Sequence, residues 1–170
     1  DDTVTSTGGD VTLVAATGID AADDIVANQN FTANAGTSIA VDDVTATNGN
    51  LTATADTTFT SNGNLTADSG DLEVTSGGTL QTVGTVSANT ITLQSTGADL
   101  DLDSTVTSDV GDVTLLADTG VAAAAQINGE DNVSITAGGD VAVQDVIADT
   151  GDINVTTTGN FTNALAVTST

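Results

Sequence analysis

The chain contains no Lys, Arg, His, Cys, Pro, Met, Trp or Tyr among its 170 residues, and each absence removes a class of chemistry. Without Lys or Arg nothing can displace the counterions condensed on a phosphate backbone, so nucleic acid is excluded as a partner. A basic clamp on anionic lipid is excluded for the same reason. Without His, Cys, Lys or Tyr most general bases and covalent nucleophiles are missing, and the chain reads as a non-enzyme. Only a pair of carboxylates, sufficient for glycoside hydrolysis, is left. Cysteine's absence means no disulfide and no thiol chemistry. No apolar run approaches the ~18 residues that span a bilayer, and no signal peptide is visible, so membrane insertion is not expected. With no Met anywhere, the sequence reads as a mature or excised piece whose export signal or anchor lies outside it.

What is present is acidic and small. Asp and Glu number 24 and set the formal charge at −24, while the only aromatics are Phe31, Phe59 and Phe161. Such a surface suits cations, basic patches on other proteins, or neutral glycans as partners. Its simplest role is solubility. Rich in Gly, Thr, Asn, Asp and Ala, the composition alone would also suit disorder.

Periodicity argues otherwise. Val11, Phe31, Leu51, Leu72, Ile91, Val113, Val133 and Ile153 recur at spacings of 20, 20, 21, 19, 22, 20 and 20 residues. A second column runs Ile19, Ile39, Phe59, Leu80, Leu100, Val121, Val141, Phe161, and a looser third runs Ile25, Val44, Leu65, Val86, Val106, Ile127, Val146. All three Phe fall inside these columns. A repeat of this length with three apolar strand positions predicts an all-β, parallel β-helix (β-solenoid) of about 20 residues and three short strands per coil, stacked about eight coils high. Residues 1–170 read as one solenoid segment of a longer array. At ~4.8 Å per coil the segment would be a rod on the order of 40 Å long.

The local unit is Gly, then Asp or Asn, then an alternating strand, as in Gly9-Asp10-Val11-Thr12-Leu13 and Gly111-Asp112-Val113-Thr114-Leu115. Apolar-polar alternation places Val11 and Leu13 inside and Thr12 outside. The Gly-Asx pairs read as corners, with Gly supplying positive φ and Asx bonding to nearby backbone. Ala122–Ala125, bracketed by Gly120 and Gly129, is too short for a stable helix. Small residues such as Ala15, Ala33, Ala53 and Ala67 alternate with bulky ones, which predicts a filled interior without a ligand cavity.

Three outward features could carry function. Thr12, Thr32, Thr52, Glu73, Thr92, Thr114, Ser134 and Asn154 form one row, but ice binding needs paired Thr stacked coil upon coil, and the pairs fall on different faces. The corner row Asp10, Asn30, Asn50, Asp71, Thr90, Asp112, Asn132, Asp152 predicts stacked Asn amides. Interleaving keeps Asp from Asp, where two carboxylates ~4–5 Å apart would repel by about 1 kcal/mol in water. Asp99, Asp101 and Asp103, on one face of a strand, with Asp109 and Asp112, are the calcium candidates. Calcium accepts several carboxylate oxygens in flexible geometry, but the spacing matches neither an EF-hand nor the calcium nonapeptide repeat. Sequons at Asn30, Asn50, Asn64, Asn132, Asn154 and Asn160 follow from the repeat itself.

The recurrent Gly-Asx-apolar-Thr-apolar unit, as in Gly49-Asn50-Leu51-Thr52-Ala53, resembles the repeats of filamentous haemagglutinin-like exoproteins and related giant bacterial adhesins. The resemblance implies a right-handed parallel β-helix shaft, extracellular or on the cell surface, that displays or spaces adhesive parts. Its partners would be neighbouring coils or subunits, glycans, or host and cell-surface proteins. The secretion domain of that family, with its Asn-Pro motifs, is not in this sequence. A self-assembling filament or surface-layer subunit is the alternative, and a calcium- or ice-binding solenoid the third reading.

Overall fold

The computed structural model describes residues 3–169 and contains 22 strands and no helix among them. One strand of a preceding coil, β1 (Val4–Ser6), pairs onto the third strand of coil 1. Coil 1 holds β2 (Val11–Ala15), β3 (Ile19–Ala21) and β4 (Ile25–Ala27); coil 2 holds β5 (Phe31–Ala35), β6 (Ile39–Val41) and β7 (Val44–Ala46). Coil 3 follows with β8 (Leu51–Ala55), β9 (Phe59–Ser61) and β10 (Leu65–Ala67), and coil 4 with β11 (Leu72–Ser76), β12 (Leu80–Thr82) and β13 (Val86–Ala88). In coil 5 lie β14 (Ile91–Ser95), β15 (Leu100–Leu102) and β16 (Val106–Ser108). From coil 6 onward the second and third strands merge. Coil 6 is β17 (Val113–Ala117) and β18 (Val121–Gly129), coil 7 is β19 (Val133–Ala137) and β20 (Val141–Ala148), and coil 8 is β21 (Ile153–Thr157) and β22 (Phe161–Ser169).

Every pairing between coils is parallel, and the register is that of the three columns. Val11 faces Phe31, then Leu51, Leu72, Ile91, Val113, Val133 and Ile153 in one eight-stranded sheet. The second and third columns pair likewise, and the third extends at both ends, to Val4 and to Val167. Because β18, β20 and β22 run unbroken, these two faces join into one 14-stranded sheet. Where coils 3 to 5 turn through Asn62-Gly63-Asn64, Val83-Gly84-Thr85 and Asp103-Ser104-Thr105, coil 6 has Ala124-Ala125-Gln126. No turn residue breaks the strand there, and the corner becomes a bulge at Ala123/Gln126.

Alternation builds the core. In β8 Leu51, Ala53 and Ala55 are buried while Thr52 and Thr54 are not, and the pattern repeats in each first strand of the inner coils. A bulky residue thus alternates with a small row made of Ala35, Ala55, Ser76, Ser95, Ala117 and Ala137. The inward Ser residues are paired. Ser76 Oγ donates to the carbonyls of Thr57 and Thr79 at 3.0 and 3.1 Å, and Ser108 Oγ to those of Asn89 and Gly111, both at 2.7 Å. Thr82, 1% exposed, has no partner for its hydroxyl.

One expectation about the corners is corrected. No described glycine has positive φ. At inner corners it is the close approach of the preceding coil that requires glycine: a Cβ at Gly77 would collide with the Asp56 carbonyl, and one at Gly70 with the carbonyl of Gly49, whereas at Gly9 in coil 1 nothing lies nearer than Ser6 Oγ at 3.9 Å. In a stack at ~4.8 Å per coil, corner backbones lie directly above one another, so a missing side chain matters more than an unusual dihedral.

Candidate functional site on the outer face

Corner Asx residues form ladders along the axis. The Asp10 carboxylate accepts the Asn30 backbone N–H at 2.9 Å, Asn30 Oδ1 accepts that of Asn50 at 3.0 Å, and Asn50 Oδ1 that of Asp71 at 2.9 Å. Asp112, Asn132 and Asp152 repeat the scheme at 2.9 and 2.8 Å. The expected amide-to-amide stack is thus replaced in this row by side-chain oxygen to backbone N–H. Corner N–H groups lie outside the strand ladder and need an acceptor, which the preceding coil's Asx supplies. Where Asn follows Asp the amide also donates to the carboxylate, as Asn30 does to Asp10 at 3.0 Å and Asn132 to Asp112 at 2.9 Å. Asn48 Nδ2 and Asn28 Oδ1, 3.4 Å apart at a neighbouring corner, form an amide-to-amide contact.

The same ladders occupy the sequons. Asn30, Asn50, Asn64, Asn132 and Asn160 all use side-chain atoms in corner bonds, whereas Asn154, the second residue of β21, is exposed. On the first face only coil 3 carries Thr at both outward positions, Thr52 and Thr54; its neighbours there are Asn34 and Glu73.

The calcium candidates fall at three places. Asp99 precedes β15, Asp101 projects outward between the buried Leu100 and Leu102, and Asp103 follows the strand. Two residues of extended chain set successive Cα atoms of this run ~6.5–7 Å apart, with only Asp101 inside the strand. Asp109 is exposed at the corner after β16, and Asp112 is bound into its ladder with Asn132. Among the described residues no group of three or more Asp or Glu side chains converges on a point that could hold a metal ion.

Environment divides Asp99 from Asp101. Asp99 accepts the Thr119 hydroxyl and the Gly120 N–H, the latter at 2.8 Å, and these bonds hold its carboxyl below the usual carboxylate range. For Asp101 partial burial pushes the carboxyl up, with the charges of Asp103 and Asp99 adding to it.

These two aspartates border a groove. The outward column of the second face reads Asp101, Ala122, Ala142, Thr162 in coils 5 to 8. At the preceding corner Gly120 lies between Asp99 and Asp140, bonded to the first through its N–H and followed by Val121, whose N–H donates to the Asp140 carbonyl at 3.0 Å. Coil 6 thus presents Gly120 and Ala122 between acidic neighbours, leaving a hollow of about 310 Å³ lined by Asp99, Asp101, Gly120, Ala122, Asp140 and Ala142. A second hollow of about 300 Å³ shares Asp101, Ala122 and Ala142 and continues past Ala124 and Gln144. The two form one trench above β18. Sequence reasoning singled out both the alanine run and the aspartate run without setting them side by side. The signal that does so is the column register, which aligns Leu100 with Val121 and hence Asp101 with Ala122.

Comparison with known proteins bears on the repeat. Residues 3–69 match the family described as haemagglutinin repeat. No curated protein and no solved structure gives a match. The matched stretch covers β1 to β10, and later coils continue it without a break in register from β8 to β11 and from β10 to β13. Sequence match and parallel β-solenoid together fit a filamentous haemagglutinin-like β-helix repeat region, an adhesin-type structural repeat module.

Proposed function

We propose that this chain is a rigid, acidic shaft segment of a secreted or cell-surface adhesin, one stretch of a longer repeat array that holds adhesive parts away from the surface. The observation that carries this reading is the unbroken register of all three columns, with Leu51, Leu65, Leu80, Ile91, Leu100, Val113 and Val133 each 0% exposed. A stack whose coils each rest on two neighbours resists bending and transmits load along its axis, which is what a spacer requires. A charge of −24 without compensating cations keeps neighbouring shafts apart. The reading is non-catalytic and needs no cofactor.

The test is to place the chain between a surface anchor and a reporter binding domain on a bacterial cell, and to measure capture of a ligand presented behind a steric barrier. Capture should fall when the chain is replaced by a flexible Gly-Ser linker of equal residue count and return with an unrelated rigid solenoid of equal length. Equal capture with the flexible linker would overturn the shaft role.

A specific observation also favours end-to-end stacking. Phe161 and Val167 in coil 8 and Val4 in β1 are column residues left 45%, 45% and 42% exposed. A further coil, from the same chain or another, is the shape that covers them, because β1, β2, β21 and β22 present unpaired strand edges.

A further inference from the structure

We propose that the trench above β18 docks an extended, Lys- or Arg-bearing segment of another protein, with aliphatic stems on Ala122 and Ala142 and cationic heads against Asp99, Asp101 and Asp140. The floor is apolar and shallow because coil 6 offers only Gly120, Ala122 and Ala124 on its outward side. In coils 3 and 4 the same outward column holds the longer Thr60 and Gln81, and in coils 1 and 2 Asp20 and Ala40. Asp101 is half-buried beside this floor, so its carboxylate has lost part of its water without gaining a cation. The chain has no Lys, Arg or His, so any basic side chain that meets this carboxylate belongs to a different molecule.

Geometry narrows the partner further. Gly120 immediately precedes β18 and Ala122 and Ala124 lie on its outward side, so the trench follows the strand and fits an extended backbone in preference to a helix. Asp99 and Asp101 stand two residues apart, and cations at alternate positions of an extended peptide share that ~6.5–7 Å repeat. Lys and Arg stems lie along apolar surface while their heads reach outward to the carboxylates. Steering by the whole acidic rod would raise the encounter rate of any basic segment, and the trench would select among them. The shaft role does not depend on this surface, since filling the trench leaves the stack and its length intact.

The experiment titrates acetyl-Lys-Thr-Lys-Thr-Lys-amide into the whole chain by calorimetry at low ionic strength, against a control peptide of equal charge with its three Lys contiguous. One site is expected, preferring the alternating peptide. Ala122→Leu fills the trench without changing charge and should weaken binding by about tenfold, as should Asp101→Asn, while Asp20→Asn in the same outward column of coil 1 should leave it unchanged. Unaltered thermal melting of the Asp20→Asn and Ala122→Leu variants shows that the fold is kept. Absence of binding, wild-type affinity in Ala122→Leu, or equal losses in Asp20→Asn and Asp101→Asn would overturn the site and leave only attraction to a polyanion.

Discussion

Inside the solenoid, a hydroxyl is stabilising or destabilising according to whether it meets a carbonyl. Ser108 meets two and Thr82 meets none, although both are buried in the stack. Replacing Thr82 by Val keeps the shape and removes an unpaired buried oxygen, and should raise unfolding free energy by about 1–2 kcal/mol. Ser108→Ala should lower it by about 1 kcal/mol, because it removes the O–H shared between the Asn89 and Gly111 carbonyls and the oxygen that accepts the Gly111 N–H at 3.2 Å. Urea unfolding of both variants decides the matter; destabilisation by Thr82→Val would mean that the hydroxyl is satisfied after all. Asp101 adds a pH signature. Its carboxyl titrates higher in the folded chain than in the unfolded one, so the folded state holds more protons between the two values and stability falls as pH rises through that window. Asp101→Asn should therefore melt higher than wild type at pH 7 and lose that advantage in acid below the ordinary Asp range, where wild-type Asp101 is protonated in both states. An equal gain at both pH values would assign the effect to packing instead of charge.

Strands and corners differ in how far they can be read from sequence. Period-two alternation and the 20-residue return place the register of all three faces, down to the pairing of Phe31 with Leu51 and Phe59 with Leu80, because burying one face of a strand leaves no freedom to slip by a residue. Corners are less legible. Gly-Asx pairs announce them, but the reason for the glycine is a neighbour 20 or so residues away, which no local rule of turn chemistry contains. Gly77→Ala tests this directly. Its Cβ would strike the Asp56 carbonyl of the coil below, and the coils must separate locally, at a cost of about 1–3 kcal/mol. If turn dihedrals were the reason, Gly77→Ala would be tolerated, since φ there is not positive. The fused strands β18, β20 and β22 were equally out of view, since Ala122–Ala125 and Gln126 neither mark a turn nor forbid one. With the fusion came the trench, which depends on which side chains are short in one coil and acidic in the next.

On the scale of the whole molecule, three features reinforce one another: parallel ladders that join each coil to the next, corner Asx bonds that tie successive coils, and a surface charge that no internal cation offsets. Legibility reverses here, because coil number and stacking direction follow from counting columns, while the outer faces that a partner would meet need the structure to assemble. The central claim is that eight coils form a single stiff column. Thr12 and Asn154 occupy the same outward position in coils 1 and 8, seven coil steps apart. Spin labels on Thr12→Cys and Asn154→Cys, in a chain with no other cysteine, should give by pulsed electron resonance one narrow distance near ~34 Å, seven steps of ~4.8 Å. A broad distribution, or a mean displaced by more than the reach of the labels, would contradict a rigid shaft.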